Sequence, residues 1–314
     1  MRAAAVVVNF NGGDDLPACL DALRAQTVPV EVVLVDCASS DGSRALAERP
    51  PAGVRGLPLP ANAGYAGGCA AGLAVLDPAV EAIGFFNPDC FPAQGFFAAC
   101  ADLLARRPEV GGVAPRLERP GGELLDSCGQ VLTPLLLRVR DRGYGGPAAG
   151  RLAEPATVLA ACGAAMVYRR AALAAAAVDG EVFPSDYFAF WEDLDLGWRV
   201  SAAGWPVVYE PRALAVHRRG ATARPGRGRL IFRRPPALAA AVIANRWATL
   251  VRNLHPVDFW LRLPLLLPGE VAMVGLVLLR HPKVLGALRA VWPRVRRAAS
   301  QRRLVRRRPL AELL

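Results

Sequence analysis

The sequence predicts an α/β fold: a mostly parallel sheet flanked by helices, followed by a helical, membrane-associating C-terminal extension. Three observations carry that expectation. Short apolar runs alternate with helical stretches over the first third of the chain, polar residues stand at the ends of those runs, and the texture changes abruptly from Pro235. A chain of 314 residues, 53% of them apolar, can bury a sizeable core in one large domain with an appendage or in two modest domains.

The elements follow in order. Residues 3–8 read as a buried strand, 15–26 as a helix and 30–35 as a second strand. A short helix begins at 43–48, another runs over 66–75 after a Gly-rich turn, and 82–86 is a third apolar strand ending at Asn87-Pro88-Asp89. Strand–helix alternation at this spacing builds a parallel sheet, and in such sheets ligands bind beyond the carboxyl ends of the strands. Asn9, Asn11, Asp36 and Asp89 stand at those ends, which points to a nucleotide site. Residues 118–155, rich in Gly, Pro and Arg, read as loops and short strands. Residues 156–168 are apolar again, and 186–203 carry a helical pattern that starts in an aromatic and acidic stretch. Short strands at 207–209 and 213–216 lead to His217, and 218–234 reads as a mobile loop or linker. We find no internal repeat.

The domain boundary is expected at 228/229. Residues 229–314 carry 17 Lys and Arg against 3 acids, whereas 1–228 carry 21 against 24, so the net charge of +11 arises entirely in the last quarter. A basic tail beside apolar segments points to an anionic membrane surface and not to nucleic acid, which would favour a basic body. Residues 237–254 read as an amphipathic helix. Residues 259–279 are very apolar but broken by Arg262, Pro264, Pro268 and Glu270, and the longest unbroken stretch, 271–279, falls short of the roughly 20 residues that span a bilayer. The expectation is an interfacial or re-entrant segment. It is followed by Arg289, Arg294, Arg296, Arg297, Arg302, Arg303 and Arg306 to Arg308, each worth roughly 1 kcal/mol near an anionic surface. Seven scattered cysteines without a C-x-x-C pair suit a reducing compartment. The N-terminus opens directly on a strand-like run with no signal-peptide pattern, so the catalytic part is expected in the cytoplasm, peripheral on the inner face of the membrane.

Several motifs carry chemistry. Asp36 ends a strand and is followed by a small-residue turn and Asp41-Gly42-Ser43, two carboxylates at a loop mouth that can accept hydrogen bonds from a base or a ribose. Asp41 serves equally well as a helix cap. Asn62-Ala63-Gly64-Tyr65-Ala66-Gly67-Gly68 places glycines ahead of a helix, where backbone N–H groups can approach a phosphate or a sugar, or where close packing is needed. Asp89 offers a hard oxygen donor for Mg²⁺ or Mn²⁺, and a turn-forming Pro-Asp pair accounts for it as well. Glu192, Asp193 and Asp195 put three carboxylates within four positions among aromatics, a grouping that is costly to bury without a purpose. One of them can act as general base towards an acceptor hydroxyl. Dipole-favoured acids in a first helical turn are the plainer reading. His217, followed by Arg218-Arg219, is placed for a metal or a diphosphate.

Taken together, VVVNFNG, VDCASSDGS, NAGYAGG, FFNPD, CGAAMVYRR, FAFWEDLDLGWR, AGWPVVYEP and AVHRRG occur in the order seen in family 2 glycosyltransferases. The set resembles their rhamnosyltransferase-like branch over about residues 3–220. The resemblance implies a GT-A fold, a Rossmann-like mixed sheet between helices, and inverting transfer from a nucleotide-diphosphate-sugar, dTDP- or UDP-linked. The implied acceptor is a glycan or polyprenyl-linked hydroxyl in cell-envelope polysaccharide synthesis. It makes Asp193 the general base with Glu192 beside it. The donor side falls to Asn9, Asn11, Asp36, Asp41, Asn62, Gly64, Gly67, Asn87 and Asp89, and the acceptor side to Trp191 and Asp195. A divalent cation (Mg²⁺ or Mn²⁺) would lie at Asp89 and His217. The sequence departs from the pattern in three places: Asn87 stands for the first Asp of the Asp-X-Asp signature, Cys37 for the usual Asn, and Ala70 for another Asn. Two other readings compete, a sugar-phosphate nucleotidyltransferase and a non-catalytic nucleotide-sugar-binding membrane adaptor. The first lacks its basic phosphate loop after the first strand, and the intact Glu192-Asp193 pair argues against the second.

Overall fold

Alternation along the first strand decides how the layers stack. The computed structural model describes residues 1–150, 152–219 and 235–313. Strand β1 (Ala3–Asn9) is buried along its whole length, as a central parallel strand covered on both faces must be. Ala3, Ala5 and Val7 meet helices α1 (Asp15–Arg24) and α4 (Phe96–Arg106) on one side. Ala4, Val6 and Val8 face α3 (Gly64–Val75) and the layer beyond it on the other.

The remaining strands are β2 (Val30–Asp36), β3 (Val54–Pro58), β4 (Ala82–Phe86), β5 (Cys90–Pro92), β6 (Gly112–Glu118) and β7 (Leu125–Ser127). They continue with β8 (Gln130–Leu132), β9 (Val139–Asp141), β10 (Ala156–Val158), β11 (Ala165–Arg169) and β12 (Val207–His217). The main sheet runs β10-β12-β6-β11-β4-β1-β2-β3, with β5 on β12 and β7 on β6, and β8–β9 form a separate hairpin. Strands β3, β2, β1 and β4 are parallel, whereas β11 runs antiparallel between β4 and β6. The sheet is therefore mixed, as a GT-A fold requires. Register places Asn9 opposite Asp36, so the polar ends of β1 and β2 lie side by side.

Several expectations need adjustment. The strands expected at 207–209 and 213–216 are one strand, β12, with an irregularity between Glu210 and Leu214. The helix expected from 186 starts only at Glu192 (α6, Glu192–Ala202), because Phe190 and Trp191 adopt left-handed backbone with φ of 72° and 74°. Helix α2 is the single turn Ala45–Glu48, and α5 (Arg170–Ala176) follows β11.

The described part of the extension is helical. Helix α7 (Pro236–Asn253) packs against α6 and against α10 (Val291–Gln301), with the short α9 (Val284–Ala287) between. The expected break in 259–279 is absent: α8 runs unbroken from Pro256 to Arg280 with Pro264 and Pro268 inside it. The two prolines are four residues apart, so the hydrogen bonds they remove lie on one face of the helix. At 25 residues, about 37 Å long at 1.5 Å per residue, α8 is long and apolar enough to cross a membrane by length and composition. Little of it is buried within the protein. Part of the basic tail is engaged within the protein. Arg294 donates to Asn245, Arg297 pairs with Glu181, and Arg302 donates to the carbonyl of Leu254, while Arg289, Arg296, Arg303 and Arg306 are exposed. The boundary expected at 228/229 and most of the loop expected at 218–234 lie outside the described residues.

Candidate functional site

The loops after β1 and β2 are stitched together at the rim of the sheet. The Asn9 amide donates to Asp36 Oδ2 (2.7 Å) and Ser43 Oγ (2.9 Å), while its Oδ1 accepts from the Gly12 N–H (3.1 Å). Asp36 also accepts from the backbone and hydroxyl of Ser39 (3.0 and 2.6 Å) and from Arg44 (3.3 Å). Both side chains are 0% exposed. Asn9 and Asp36, expected to touch the donor, are buried in the frame of the rim, with their polar atoms hydrogen-bonded to each other and to Ser39, Ser43 and Arg44. Asn11 and Asp41 are exposed on that frame. Asn11 Oδ1 accepts from Ser40 N (2.7 Å) and Asp41 Oδ2 from Gly13 N (2.9 Å). The Ser43 hydroxyl, first among its partners, holds the Asp41 carboxyl below its ordinary range.

The Gly-rich turn is closely packed. Gly64 has φ +69°, and a Cβ there would stand 2.1 Å from the Phe188 carbonyl oxygen. A Cβ on Gly68 would lie 2.4 Å from Val8 Cγ1. These two glycines, of which Gly64 was expected on the donor side, let α3 press onto β1 and onto the backbone of the acidic turn. Gly67 faces Ala63, and Asn62 Oδ1 closes the turn by accepting from Gly64 N (2.9 Å). Cys37 is buried beneath α3 within 3.7 Å of the Gly64 carbonyl, and burial pushes its thiol up to about 11.

Tyr65 and the Cys162-Gly163-Ala164 segment bring the two halves of the site together. The Tyr65 hydroxyl donates to the Gly163 carbonyl, and the Gly163 N–H donates to Asp193 Oδ2 (2.8 Å). The next carbonyl, that of Ala164, accepts from Asn87 N (3.0 Å). One short segment thus carries both Asp193 and the Asn87-Pro88-Asp89 loop.

Asp193 is half-buried at the start of α6, where it also accepts from Leu194 N (2.8 Å) and Gln130 Nε2 (2.8 Å). Burial raises its carboxyl above the usual value, and these N–H donors act against that rise. Glu192 is 5% exposed, and its Oε2 has no hydrogen-bond partner among the described residues. Burial, then the neighbouring Asp193, pushes its carboxyl well above the ordinary range. Two adjacent acids therefore differ: Asp193 is surrounded by donors, whereas Glu192 has the setting of a neutral acid.

The left-handed pair Phe190-Trp191 sets the direction of α6. Non-glycine residues in that region cost on the order of 1–3 kcal/mol each and persist where their surroundings fix them. Trp191 is half-buried with the Arg246 guanidinium 5.4 Å from its ring centroid. Asp195, expected to face an acceptor, points inward instead. It is 0% exposed and receives Arg252 (2.8 Å), Asn253 (2.8 Å) and Arg199 (2.9 Å). The helix turn from Asp193 carries it to the α7 side. Burial opposes its charge, but Arg252 and Arg199 hold its carboxyl below the usual value.

At the other end of the rim, His217 lies between two carboxylates, with Nδ1 2.8 Å from Asp126 and Nε2 3.4 Å from Asp89. Burial works against the charged imidazole, but hydrogen bonds to Asp126 and Asp89 outweigh it and push His217 up to about 9. Arg219 binds Asp126 and Asp141, and Arg218 binds Asp15. Among the described residues no group of three or more His, Cys, Asp and Glu side chains could hold a metal by itself. Sequence reasoning assigned no role to Asp126, Gln130, Gly163, Asn245 or Arg252; the first two lie in the stretch 118–155, read only as loops and short strands.

The glycosyl transferase family 2 profile matches residues 4–175. The N-acetylglucosaminyl-diphospho-decaprenol L-rhamnosyltransferase of Mycobacterium tuberculosis is 31% identical over 236 residues, covering 68% of this chain and 74% of that protein. Among solved structures, S. aureus TarS 1–349 in complex with UDP-GlcNAc superposes with a TM-score of 0.57 at 17% identity, covering 96% of this chain and 84% of that one. The mannosyltransferase PcManGT from Pyrobaculum calidifontis, in complex with GDP-Man and Mn²⁺, gives 0.52 at 19% identity, with 96% and 86% covered. These two likenesses concern the fold and agree with the GT-A arrangement of the sheet. The nucleotidyltransferase and non-catalytic adaptor readings fall away. A profile match across more than half of the chain, together with a relative above 30% identity, shows that this chain belongs to glycosyl transferase family 2 and is a sugar-transferring enzyme.

Proposed function

We propose that the enzyme inverts the anomeric carbon as it moves L-rhamnose, or a sugar like it, from a dTDP- or UDP-linked donor to a hydroxyl of a polyprenyl-diphosphate-linked glycan. The observation that carries this reading is Asp193, a half-buried carboxylate at the start of α6 with its orientation fixed by Gly163, Leu194 and Gln130. In this reading Asp193 takes the proton of the acceptor hydroxyl while that oxygen attacks the anomeric carbon opposite the diphosphate. Glu192 keeps its own proton and supports the turn. Trp191 lines the acceptor side. Asn11, Asp41, Asn62, Asn87 and Asp89 face the donor, on a frame made by Asn9, Asp36, Gly64 and Gly67. The resemblance to the mycobacterial rhamnosyltransferase supports both the donor sugar and the lipid-linked acceptor.

Asp89 and His217 have the donor chemistry for a divalent cation of the kind bound by the mannosyltransferase neighbour: one hard carboxylate and one imidazole, with diphosphate oxygens supplying the rest. Such a cation, when bound, offsets charge on the departing diphosphate. Binding the cation would require His217 in its neutral form, with Nε2 free to ligate and Nδ1–H directed to Asp126.

We also propose that residues 1–228 form the catalytic domain and 229–314 an extension that rests on the inner face of the cell membrane through α8. Trp260 (68% exposed), Leu261 (72%) and Leu279 (83%) support that contact, and the exposed arginines supply charge of the right sign for anionic lipid.

The test is Asp193→Asn, assayed with dTDP-L-rhamnose and N-acetylglucosaminyl-diphospho-decaprenol. Loss of a positioned base lowers turnover about 10²–10⁴-fold, while dTDP binding by calorimetry is retained. Turnover at the wild-type rate sinks the assignment.

A further inference from the structure

Asn245 lies on α7, far along the chain from the acids, and is 0% exposed. Its side-chain amide donates to two backbone carbonyls, Ala189 (3.0 Å) and Phe190 (2.7 Å). Its Oδ1 accepts from Arg294 of α10 (2.5 Å), which fixes the end of the amide that faces the turn. The rest of this face of α7 addresses the same stretch of chain. Thr249 Oγ1 meets the Tyr187 hydroxyl (2.9 Å), and Arg252 and Asn253 meet Asp195. Positions 245, 249, 252 and 253 form a single helical stripe. Asn245 stands apart within it because it grips main chain at the start of the left-handed pair, three and four residues before Asp193.

We propose that Asn245 is a positioning residue for the reaction: it clamps the carbonyls of Ala189 and Phe190 and thereby holds the left-handed turn that aims Asp193 at the acceptor. This rests on the reading of Asp193 as base. The clamp lies in the extension, so the extension completes the geometry of the catalytic turn. Arg246, the next residue, lies over Trp191 and also donates to Glu270 of α8 (2.7 Å), so the clamp and the apolar helix share one anchorage.

The experiment uses the full chain with dTDP-L-rhamnose and N-acetylglucosaminyl-diphospho-decaprenol. Asn245→Leu keeps the volume and removes both donors. Displacing a reacting group by about 1 Å can cost about 100-fold, so kcat is expected to fall by that order while the donor KM is unchanged. Phe190→Gly placed in the Asn245→Leu background restores about tenfold, because glycine adopts positive φ without the clamp. A role confined to helix packing gives no such rescue. Should Asn245→Leu not fold, Arg294→Met, which frees the amide to rotate, gives the same split between kcat and KM. Unchanged kcat in Asn245→Leu overturns the proposal, as does a loss that Phe190→Gly leaves untouched. Asp193→Asn is run alongside: if it is active, the base assignment itself fails, whereas an inactive Asp193→Asn beside a normal Asn245→Leu refutes the clamp alone.

Discussion

Replacing Glu192 by Gln separates the roles of the two neighbouring acids. Glu192 is buried with an unpartnered Oε2, and its carboxyl is held well above the ordinary range by burial and then by Asp193. An unfolded glutamate titrates near pH 4.3. Below that pH the folded and unfolded chains are both protonated at this position, and its full contribution to stability is present. Above it the unfolded chain ionises first. Stability is then lost at about 1.4 kcal/mol per pH unit as pH rises through the folded pKa, beyond which the loss is complete. Glutamine matches the neutral acid in shape and does not titrate. Across that interval Glu192→Gln should therefore gain on the wild type by the same 1.4 kcal/mol or so per unit. Urea midpoints of both proteins, measured in steps from pH 5 to pH 8, give the difference directly, and the pH at which the two curves become parallel is the folded pKa. Curves parallel from pH 5 upward would refute the reasoning, because Glu192 would then ionise inside the fold. Activity supplies a second check. The variant should keep transfer within about tenfold of wild type, whereas a loss of 10²-fold or more marks Glu192 as the proton acceptor.

Arg252→Met removes one cation from Asp195 and leaves Arg199 and Asn253 in place, so the cost lies at the low end of that for a broken buried pair, about 3 kcal/mol by urea unfolding. Asp195 has a depressed folded pKa, so its contribution is present above an unfolded value of about 3.9 and is lost as pH falls through the folded one. The gap between variant and wild type should accordingly narrow below about pH 4. Gly64→Ala places a Cβ 2.1 Å from the Phe188 carbonyl at a residue with φ +69°, and should lower both the melting temperature and turnover, while an unchanged melting temperature contradicts the close approach. Trp260→Glu combined with Leu261→Glu should release the protein from vesicles containing phosphatidylglycerol in a flotation assay, and undiminished binding removes α8 from the proposed membrane contact.

Much of the frame was legible. The apolar runs that became β1, β2 and β4 announce themselves because central parallel strands are apolar on both faces, and their polar ends mark the rim. Asp193 stood out because three acids among aromatics are rare without cause. The partners that give each acid its character were not legible. Asp126 and Gln130 sit on three-residue strands too short to show a period, and only tertiary packing brings them to His217 and Asp193. Asp195 was placed on the acceptor side because the sequence does not show which side of the helix meets α7. Phe190 and Trp191 carry no glycine to signal positive φ. Pro264 and Pro268 read as breaks although the helix tolerates both. That Gly64 and Gly68 have no room for a side chain against Phe188 and Val8 depends on tertiary packing that the Gly-rich motif does not reveal.

Arg246 holds the Leu136 and Leu137 carbonyls of the β8–β9 hairpin with one part of its guanidinium and Glu270 of α8 with another. Arg262 of α8 likewise donates to the Pro134 carbonyl (2.8 Å), and Gly269 leaves room for Leu136. Hairpin and helix are therefore one module for the purposes of protein engineering. An exchange of this hairpin with that of a relative therefore needs to carry residues 130–141 together with 246–270, so that the docking contacts move as a set.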